Sequence, residues 1–446
     1  MSTPLQPEQS QPIQPERSLT GSAVRALQRE KLDAMLREVR SHNPFYREKF
    51  ARIEFNAIND PLDRLPLTTR AELEADQLAY PPYGTNLTYP LKQYCRYHQT
   101  SGSGGRPMRW LDTAESWLWF QRCWRIIFDA AGVTADDRIC FAFSFGPFVG
   151  FWAAFAGANS LGALCIPAGG LSTVARLRMI LDNSATVVCC TPTYALHMAQ
   201  VAAEQKLDLA GSSVRALIVA GEPGGSILST RKRIESAWGA RVYDHTGMTE
   251  IGALAFECEP RPGEGVHVIE SEFIPEVINP QTLQPVKEGD PGELVLTNLG
   301  RWGSPLLRYR TGDRVLLTRA QCACGSNFAR LEGGILGRID EMFIVRGNNI
   351  FPSAVEAVLR RFDELAEFRC TIHENGSLTQ VTIEIEPRPA ATGAEDAAAL
   401  CNRVAGAVHE SLNFRATVVA VPPGALPRFD LKARRFVRKA MTQDGN

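Results

Sequence analysis

The chain has 446 residues, 48 of them basic and 49 acidic, for a formal net charge of −1. That length exceeds one ordinary hydrophobic core and predicts more than one domain. The even charge balance gives no field to recruit nucleic acid or an anionic membrane, and eleven cysteines without an apolar leader core predict reduced thiols in a cytoplasmic protein.

Residues 1–18, rich in Pro, Gln and Ser, are too polar for a signal peptide and read as a disordered leader. From Ser22 to Arg40 apolar residues recur at helical spacing, with Leu27, Leu32, Met35 and Leu36 on one side. Thr100–Pro107 (TSGSGGRP) then packs hydroxyls, glycines and one cation into eight residues. Glycines let backbone N–H groups approach an anion, hydroxyls can donate to it, and Arg106 adds charge. The segment is neither a Walker loop nor a G-x-G-x-x-G turn, and taken alone a plain glycine/serine turn between two strands is the better reading.

No charge occurs between Arg138 and Arg176, but Gly146-Pro147 and the Pro167–Gly170 turn break the run. Two buried strands around a small-residue helix, Gly150 to Leu161, fit better than a membrane span. Strand-like runs at Ile139–Phe143, Ala163–Ile166, Thr186–Cys190 and Ala216–Ala220 alternate with helical patterns, which predicts a parallel sheet covered by helices. Between Phe273 and Leu317 the texture changes to an antiparallel subdomain, with strands at Phe273–Ile278 and Glu293–Thr297. The tail predicts a small α+β unit: helix Ser353–Phe362, strands Phe368–Ile372 and Thr379–Glu386, helix Glu395–Leu412, strand Ala416–Val421. The expected division is a leader (1–18), a large α/β domain (19–339) and a small C-terminal domain (340–446).

Four more segments follow the glycine loop in a fixed order: Tyr243–Glu250 (YDHTGMTE), Tyr309–Asp313 (YRTGD), Gly337–Met342 (GRIDEM) running into Arg346–Pro352 (RGNNIFP), and Leu426–Lys432 (LPRFDLK). With that loop and an opening QREKL…NPFYR stretch (Gln28 to Arg47), they resemble the phenylacetate-CoA ligase family of adenylate-forming enzymes. The resemblance spans about Arg25 to Lys439. It implies a large N-terminal adenylate-forming domain and a mobile C-terminal lid hinged at Asp340. It also implies an AMP-forming acid–thiol ligase using ATP, Mg²⁺ and coenzyme A, with a carrier-protein pantetheine arm or another nucleophile as the alternative acceptor.

The resemblance assigns roles residue by residue. Thr100, Ser101, Gly102, Ser103, Gly104, Gly105 and Arg106 would wrap the leaving phosphates, with Arg106 where the family usually has lysine. Glu250 would hold Mg²⁺ and Thr249 would lie near the α-phosphate. The Gly221-Glu222-Pro223 turn would flank adenine, Tyr243 would stack on it, Asp313 would take the ribose hydroxyls, and Arg338 would contact ribose or phosphate. Lys432 would reach the reacting centre only when the lid closes; its neighbours, Arg434, Arg435, Arg438 and Lys439, read as a solvated basic tail. In the second half-reaction the lid would turn its Gly347–Asn349 face to a thiol.

The acid would lie against Phe141, Phe148, Ala168 and Gly169, with Asp244 and His245 facing a polar substituent on an aromatic acid. The alternatives are core aromatics and a capping aspartate. Cys258, His267, Cys322 and Cys324 offer three thiols and an imidazole, a suitable set for structural zinc, against free buried thiols. Neither nucleic acid nor membrane is an expected partner, and a homodimer is left open.

Overall fold

The computed structural model describes residues 18–100, 106–345, 348–375, 378–388, 394–428 and 434–440. Helix α1 (Gly21–His42) is started by Thr20, whose hydroxyl accepts the Ala23 amide, and it buries Leu32, Met35, Leu36 and Val39. Asn43 ends α1 and, through its side chain, caps α2 (Pro44–Lys49). A Thr69/Glu72 capping box opens α3 (Arg70–Ala79). A ribbon of β1 (Tyr94–Gln99) and β2 (Arg109–Thr113) follows, with Thr113 capping the long α4 (Ala114–Ala130).

Strand and helix then alternate: β3 (Arg138–Phe141), α5 (Val149–Leu161), β4 (Leu164–Pro167), α6 (Thr173–Asp182), β5 (Val187–Cys190), α7 (Pro192–Glu204), β6 (Ala216–Val219), α8 (Leu228–Trp238) and β7 (Arg241–Met248). The strands run parallel in the order β4-β3-β5-β6-β7, so crossover helices cover both faces. Apolar residues of α4 and α5 form one core over the sheet. Residues of α6, α7 and α8 form a second core beneath it. The uncharged run from residue 139 to 175 is therefore β3, α5 and β4, and no described helix is long and apolar enough to cross a membrane.

The antiparallel strands β8 (Gly252–Phe256), β9 (Gly265–Val268), β10 (Phe273–Ile278), β11 (Pro291–Asn298), β12 (Tyr309–Thr318), β13 (Arg330–Glu332) and β14 (Gly337–Arg338) continue the same sheet from β7. The antiparallel part and the parallel part share an edge and a core, because β8 pairs with β7 as a tight hairpin.

After Asp340 come β15 (Phe343–Val345), β16 (Asn348–Ile350), α9 (Pro352–Leu359), β17 (Leu365–Asn375), β18 (Leu378–Pro387), α10 (Ala394–Leu412), β19 (Thr417–Ala420) and β20 (Phe436–Ala440). Their four-stranded sheet, β19-β18-β17-β20, has its own core around Val355, Phe368, Ile383 and Val404. In the basic tail Arg434, Arg438 and Lys439 are exposed as expected, but Arg435 is buried and β20 pairs in parallel with β17.

Candidate active site

The β1–β2 ribbon ends in the Thr100–Pro107 loop, so the plain-turn and anion-loop readings describe the same position in the chain. Thr100 closes the loop's base: its amide donates to the Met108 carbonyl (3.0 Å) and its hydroxyl accepts the Met108 amide (3.0 Å). Ser101 to Gly105 lie outside the described residues, and Arg106 is exposed.

The Thr249–Glu250 turn joins β7 to β8 at the carboxyl ends of the parallel strands, where open α/β sheets bind ligands. Glu250 is buried, and its Oε1 accepts Arg70 Nη1 of α3 at 3.1 Å. Among the described residues nothing donates to its Oε2. The turn's backbone is gripped from behind by Arg301, which is 0% exposed. Its Nη1 donates to the carbonyls of Thr249 (2.9 Å) and Glu250 (2.7 Å). Its Nε and Nη2 pair with Asp112 of β2 at 2.7 and 2.9 Å. Burial alone would raise the Asp112 carboxyl, but Arg301 and His98 hold it below its ordinary value.

Asp313 of β12 lies opposite Arg338 of β14, and Arg338 Nη1 donates to its Oδ1 at 3.1 Å. Arg338 also grips the exposed Asp340 through Nε and Nη2 (2.9 and 3.1 Å). Tyr309, at the start of β12, is buried, and its phenol lies within electrostatic reach of Glu250, Arg70, Arg338 and Asp313.

Strand alternation divides the candidates on β7. Tyr243 and His245 face the α4 and α5 core, whereas Asp244 faces the turn after β6. Tyr243 is buried beneath the Arg241 guanidinium, 5.4 Å from its ring centre, so the expected adenine platform is not available there. The turn from Gly221 packs against the other face: a Cβ on Gly225 would fall 2.4 Å from Asp244, and one on Gly224 2.4 Å from Pro192. Gly221 and Pro223 are exposed, and Glu222 Oε1 accepts the Thr193 amide at 2.8 Å. Asp244 accepts hydrogen bonds from the Ser226 hydroxyl and the His245 amide, and burial pushes its carboxyl up to about 6. Its carboxylate therefore faces the turn after β6, on the opposite side of the strand from the His245 ring.

His245 donates from Nδ1 to the Ala255 carbonyl (3.1 Å), which leaves Nε2 as an acceptor; burial lowers its pKa to about 4. Its ring meets Trp124 of α4 edge-on at 4.5 Å, and among the described residues the Trp124 indole N–H has no partner. Phe141 is fully buried between Phe143 and Phe155, because a central parallel strand is covered on both faces; it is core rather than an open wall. Phe148 is half-buried at the start of α5. Ala168 is buried, and Gly169 lies so close to Phe145 that a Cβ would fall 2.7 Å away.

The C-terminal unit docks beside this cleft. Arg435 Nη1 and Nη2 donate to Thr193 Oγ1 of α7 at 3.2 and 3.3 Å while holding Glu367 and Glu356 of their own unit. Ser353 of α9 donates to the Leu336 carbonyl, and Arg314 lies over the Phe351 ring. Lys432 and Gly347 lie outside the described residues.

The AMP-binding enzyme family matches residues 69–300, and the AMP-binding enzyme C-terminal domain matches 347–439. The phenylacetate-coenzyme A ligase of Thermus thermophilus is 31% identical over 91% of this chain and 94% of that protein. The chain belongs to the phenylacetate-CoA ligase family. A solved 2-hydroxyisobutyryl-CoA ligase in its postadenylation state, with an acyl-AMP bound, superposes with a TM-score of 0.91 at 29% identity, covering 97% of this chain and 94% of that one. The same ligase in its thioesterification state reaches 0.71, covering 96% and 92%. Both give the fold expected for a phenylacetate-CoA ligase, and the first also shares this chain's placement of the C-terminal unit.

This family member carries a compact sulfur–nitrogen cluster where the end of β8 and β9 meet the loop between β12 and β13. The donor atoms of Cys258, His267, Cys322 and Cys324 lie within 4.8 Å of one another. Cys258 Sγ and Cys322 Sγ are 3.6 Å apart, and Cys324 Sγ is 3.5 Å from His267 Nε2. Zinc–ligand lengths in a tetrahedron require about 3.8 Å between two sulfurs and about 3.6 Å between sulfur and nitrogen. His267 Nδ1 donates to the Phe328 carbonyl (2.9 Å), which turns the Nε2 lone pair toward the sulfurs. The hydrogen bond from Cys258, with His267 beside it, lowers the Cys324 thiol below its ordinary value.

Several residues of the cleft carry no local signature. Arg70, Asp112, Arg301, Trp124, Thr193 and Arg435 acquire their places only through contacts across long sequence separations. The YRTGD stretch was a legible pointer to Tyr309; an isolated Asp112 or Arg301 gave none.

Proposed function

We propose that this chain activates an aromatic carboxylic acid as its acyl-adenylate and transfers the acyl group to coenzyme A. Family membership gives the class of reaction, an AMP-forming ligation of an acid to a thiol. The observation that carries the finer reading is a pair of ion pairs, Arg70 with Glu250 and Arg338 with Asp313, with the Glu250 turn tied through Arg301 to Asp112 of the ribbon that bears the glycine loop.

In the first half-reaction the acid's carboxylate oxygen attacks the α-phosphorus of ATP and pyrophosphate leaves. Two anions must meet, so the site has to supply positive charge and oriented donors. We assign the loop from Thr100 to Arg106 to the β- and γ-phosphates, Asp313 to the ribose hydroxyls, and Arg338 to the ribose–phosphate side. The turn from Gly221 to Pro223, with Asp244, bounds the adenine side. The carboxylate of Glu250 and the hydroxyl of Thr249 are hard oxygen donors, and the open Oε2 fits a Mg²⁺ ligand. When bound, Mg²⁺ would neutralise phosphate charge. Arg70 then keeps Glu250 Oε1 oriented. Lys432 is assigned to the α-phosphate and the acid's oxygen in the closed arrangement, and Asp340 to the hinge.

In the second half-reaction the coenzyme A sulfur attacks the acyl carbon and AMP leaves. The Gly347–Asn349 face is assigned to that step, and coenzyme A is favoured over a carrier-protein arm because the relative of known name and the superposed ligase both carry coenzyme A in their names. His245, neutral at neutral pH, is the polar group assigned to the acid. The cysteine–histidine cluster is assigned to a structural zinc that ties the end of β8 and β9 to the loop between β12 and β13.

The experiment combines substrate-dependent exchange of pyrophosphate into ATP with detection of AMP and thioester, across benzoates, phenylacetates and hydroxy- or amino-substituted aryl acids. Exchange should fall at least about a hundredfold in Lys432→Ala. Equal exchange by the wild type and this variant would refute the lysine's role. AMP release without thioester would refute coenzyme A as acceptor.

A further inference from the structure

Arg301 is the most completely enclosed cation of the cleft. Its guanidinium lies 5.0 Å from the ring centres of both Trp110 and Phe120 and is bidentate to the fully buried Asp112. A pair so deeply desolvated is a poor device for stability alone, since apolar residues of similar volume would commonly serve as well. Its remaining nitrogen grips two successive carbonyls, those of Thr249 and Glu250. Holding consecutive carbonyls fixes the intervening peptide plane, and with it the direction in which both side chains leave the backbone.

Asp112 sits on β2, one leg of the ribbon whose tip is the glycine loop, and His98 on the other leg reaches Asp112 at 3.4 Å. One ion pair thus fastens the loop's supporting ribbon to the turn that bears Glu250. The approach has been given room: a Cβ on Gly300 would fall 2.0 Å from Trp119.

We propose that Arg301 and Asp112 are positioning residues for the metal–phosphate site. They aim Glu250 and Thr249 at the metal and hold them in register with the β1–β2 ribbon. The proposal rests on the assignment of Glu250 to Mg²⁺ made above. Outer partners of metal ligands commonly change metal affinity by about 10- to 100-fold when altered.

The test uses the full chain with Mn²⁺ as probe. Free Mn²⁺ is measured by electron paramagnetic resonance while protein is titrated in the presence of α,β-methylene-ATP, for the wild type, Asp112→Asn, Arg301→Lys and Glu250→Gln. Thermal unfolding is followed on the same samples. Asp112→Asn keeps the shape but loses the charge, and should weaken Mn²⁺ binding by about tenfold or more. Arg301→Lys retains charge but cannot span both carbonyls and Asp112 at once, and should weaken it comparably. If Asp112→Asn does not fold, Arg301→Lys answers the same question. Unchanged Mn²⁺ affinity in these two, with weakened binding in Glu250→Gln, overturns the positioning role even if the unfolding temperature drops. Unchanged affinity in Glu250→Gln overturns the metal assignment itself, and the proposal with it.

Discussion

Thr193→Val should change the balance between the two half-reactions. Thr193 Oγ1 is the body's acceptor for both terminal nitrogens of Arg435, and valine matches threonine in shape while offering no acceptor. The Thr193 amide still reaches Glu222, so the start of α7 keeps its anchor. A hydrogen bond to a charged donor contributes about 1.5–3 kcal/mol. These two contacts are long and share one oxygen, and Arg435 keeps Glu367 and Glu356, so about 1–2 kcal/mol is the fitting share. That corresponds to a shift of about 5- to 30-fold against the docked position of the C-terminal unit, the placement shared with the postadenylation ligase. Pyrophosphate exchange reads the first half-reaction; thioester formation from supplied acyl-adenylate in a single turnover reads the second. The ratio of first to second should fall about 5- to 30-fold. An unchanged ratio, with both rates lowered together or neither altered, would refute the idea that this contact favours one placement.

Two further outcomes follow from the cysteine–histidine cluster and from His245. Cys322→Ser should reduce zinc below one equivalent per chain by elemental analysis and lower the unfolding temperature by more than about 5 °C; full zinc content in the variant would refute the cluster as its site. The pKa of His245 is depressed in the fold to about 4, from 6.5, so the unfolded chain takes up the proton first and stability falls as pH drops through that window. Between pH 7 and pH 5 this group should remove about 2 kcal/mol. Asp244, raised to about 6, has the opposite sign: its neutral form stabilises, and that contribution is lost as pH rises through 6. Urea unfolding at both pH values should therefore show His245→Gln gaining about 2 kcal/mol relative to the wild type on acidification; parallel pH dependence in the two proteins would refute the buried neutral imidazole.

Much of the architecture was legible because period and punctuation report local geometry. The apolar runs at Ile139, Thr186 and Ala216 became β3, β5 and β6, and the expected helix from Gly150 to Leu161 became α5, which ends where Gly162 adopts a left-handed conformation with φ +91°. The edges of the reading failed where tertiary pairing overrode composition. Arg435 lies in a stretch that reads as a solvated basic tail, yet it is buried against Glu367, Glu356 and Thr193 once that stretch adds to β17 as a strand. Tyr243 looked like a platform for a base, but strand alternation turns it into the core and gives the opposite face to Asp244.

By itself the sequence determined that the larger part is a helix-covered parallel sheet with antiparallel additions, that a small α+β domain follows it, and that five ordered motifs belong to adenylate chemistry. Those properties are carried by neighbours in the chain: periodicity, turn residues and short motifs. Only the tertiary structure decided which groups share the cleft. Arg301 and Asp112 stand 189 positions apart, and Arg435 and Thr193 stand 242 apart. Nothing in the local pattern of any of the four distinguishes it from an ordinary surface charge or hydroxyl, because their roles come from desolvation and from partners that only the folded chain brings within hydrogen-bonding distance.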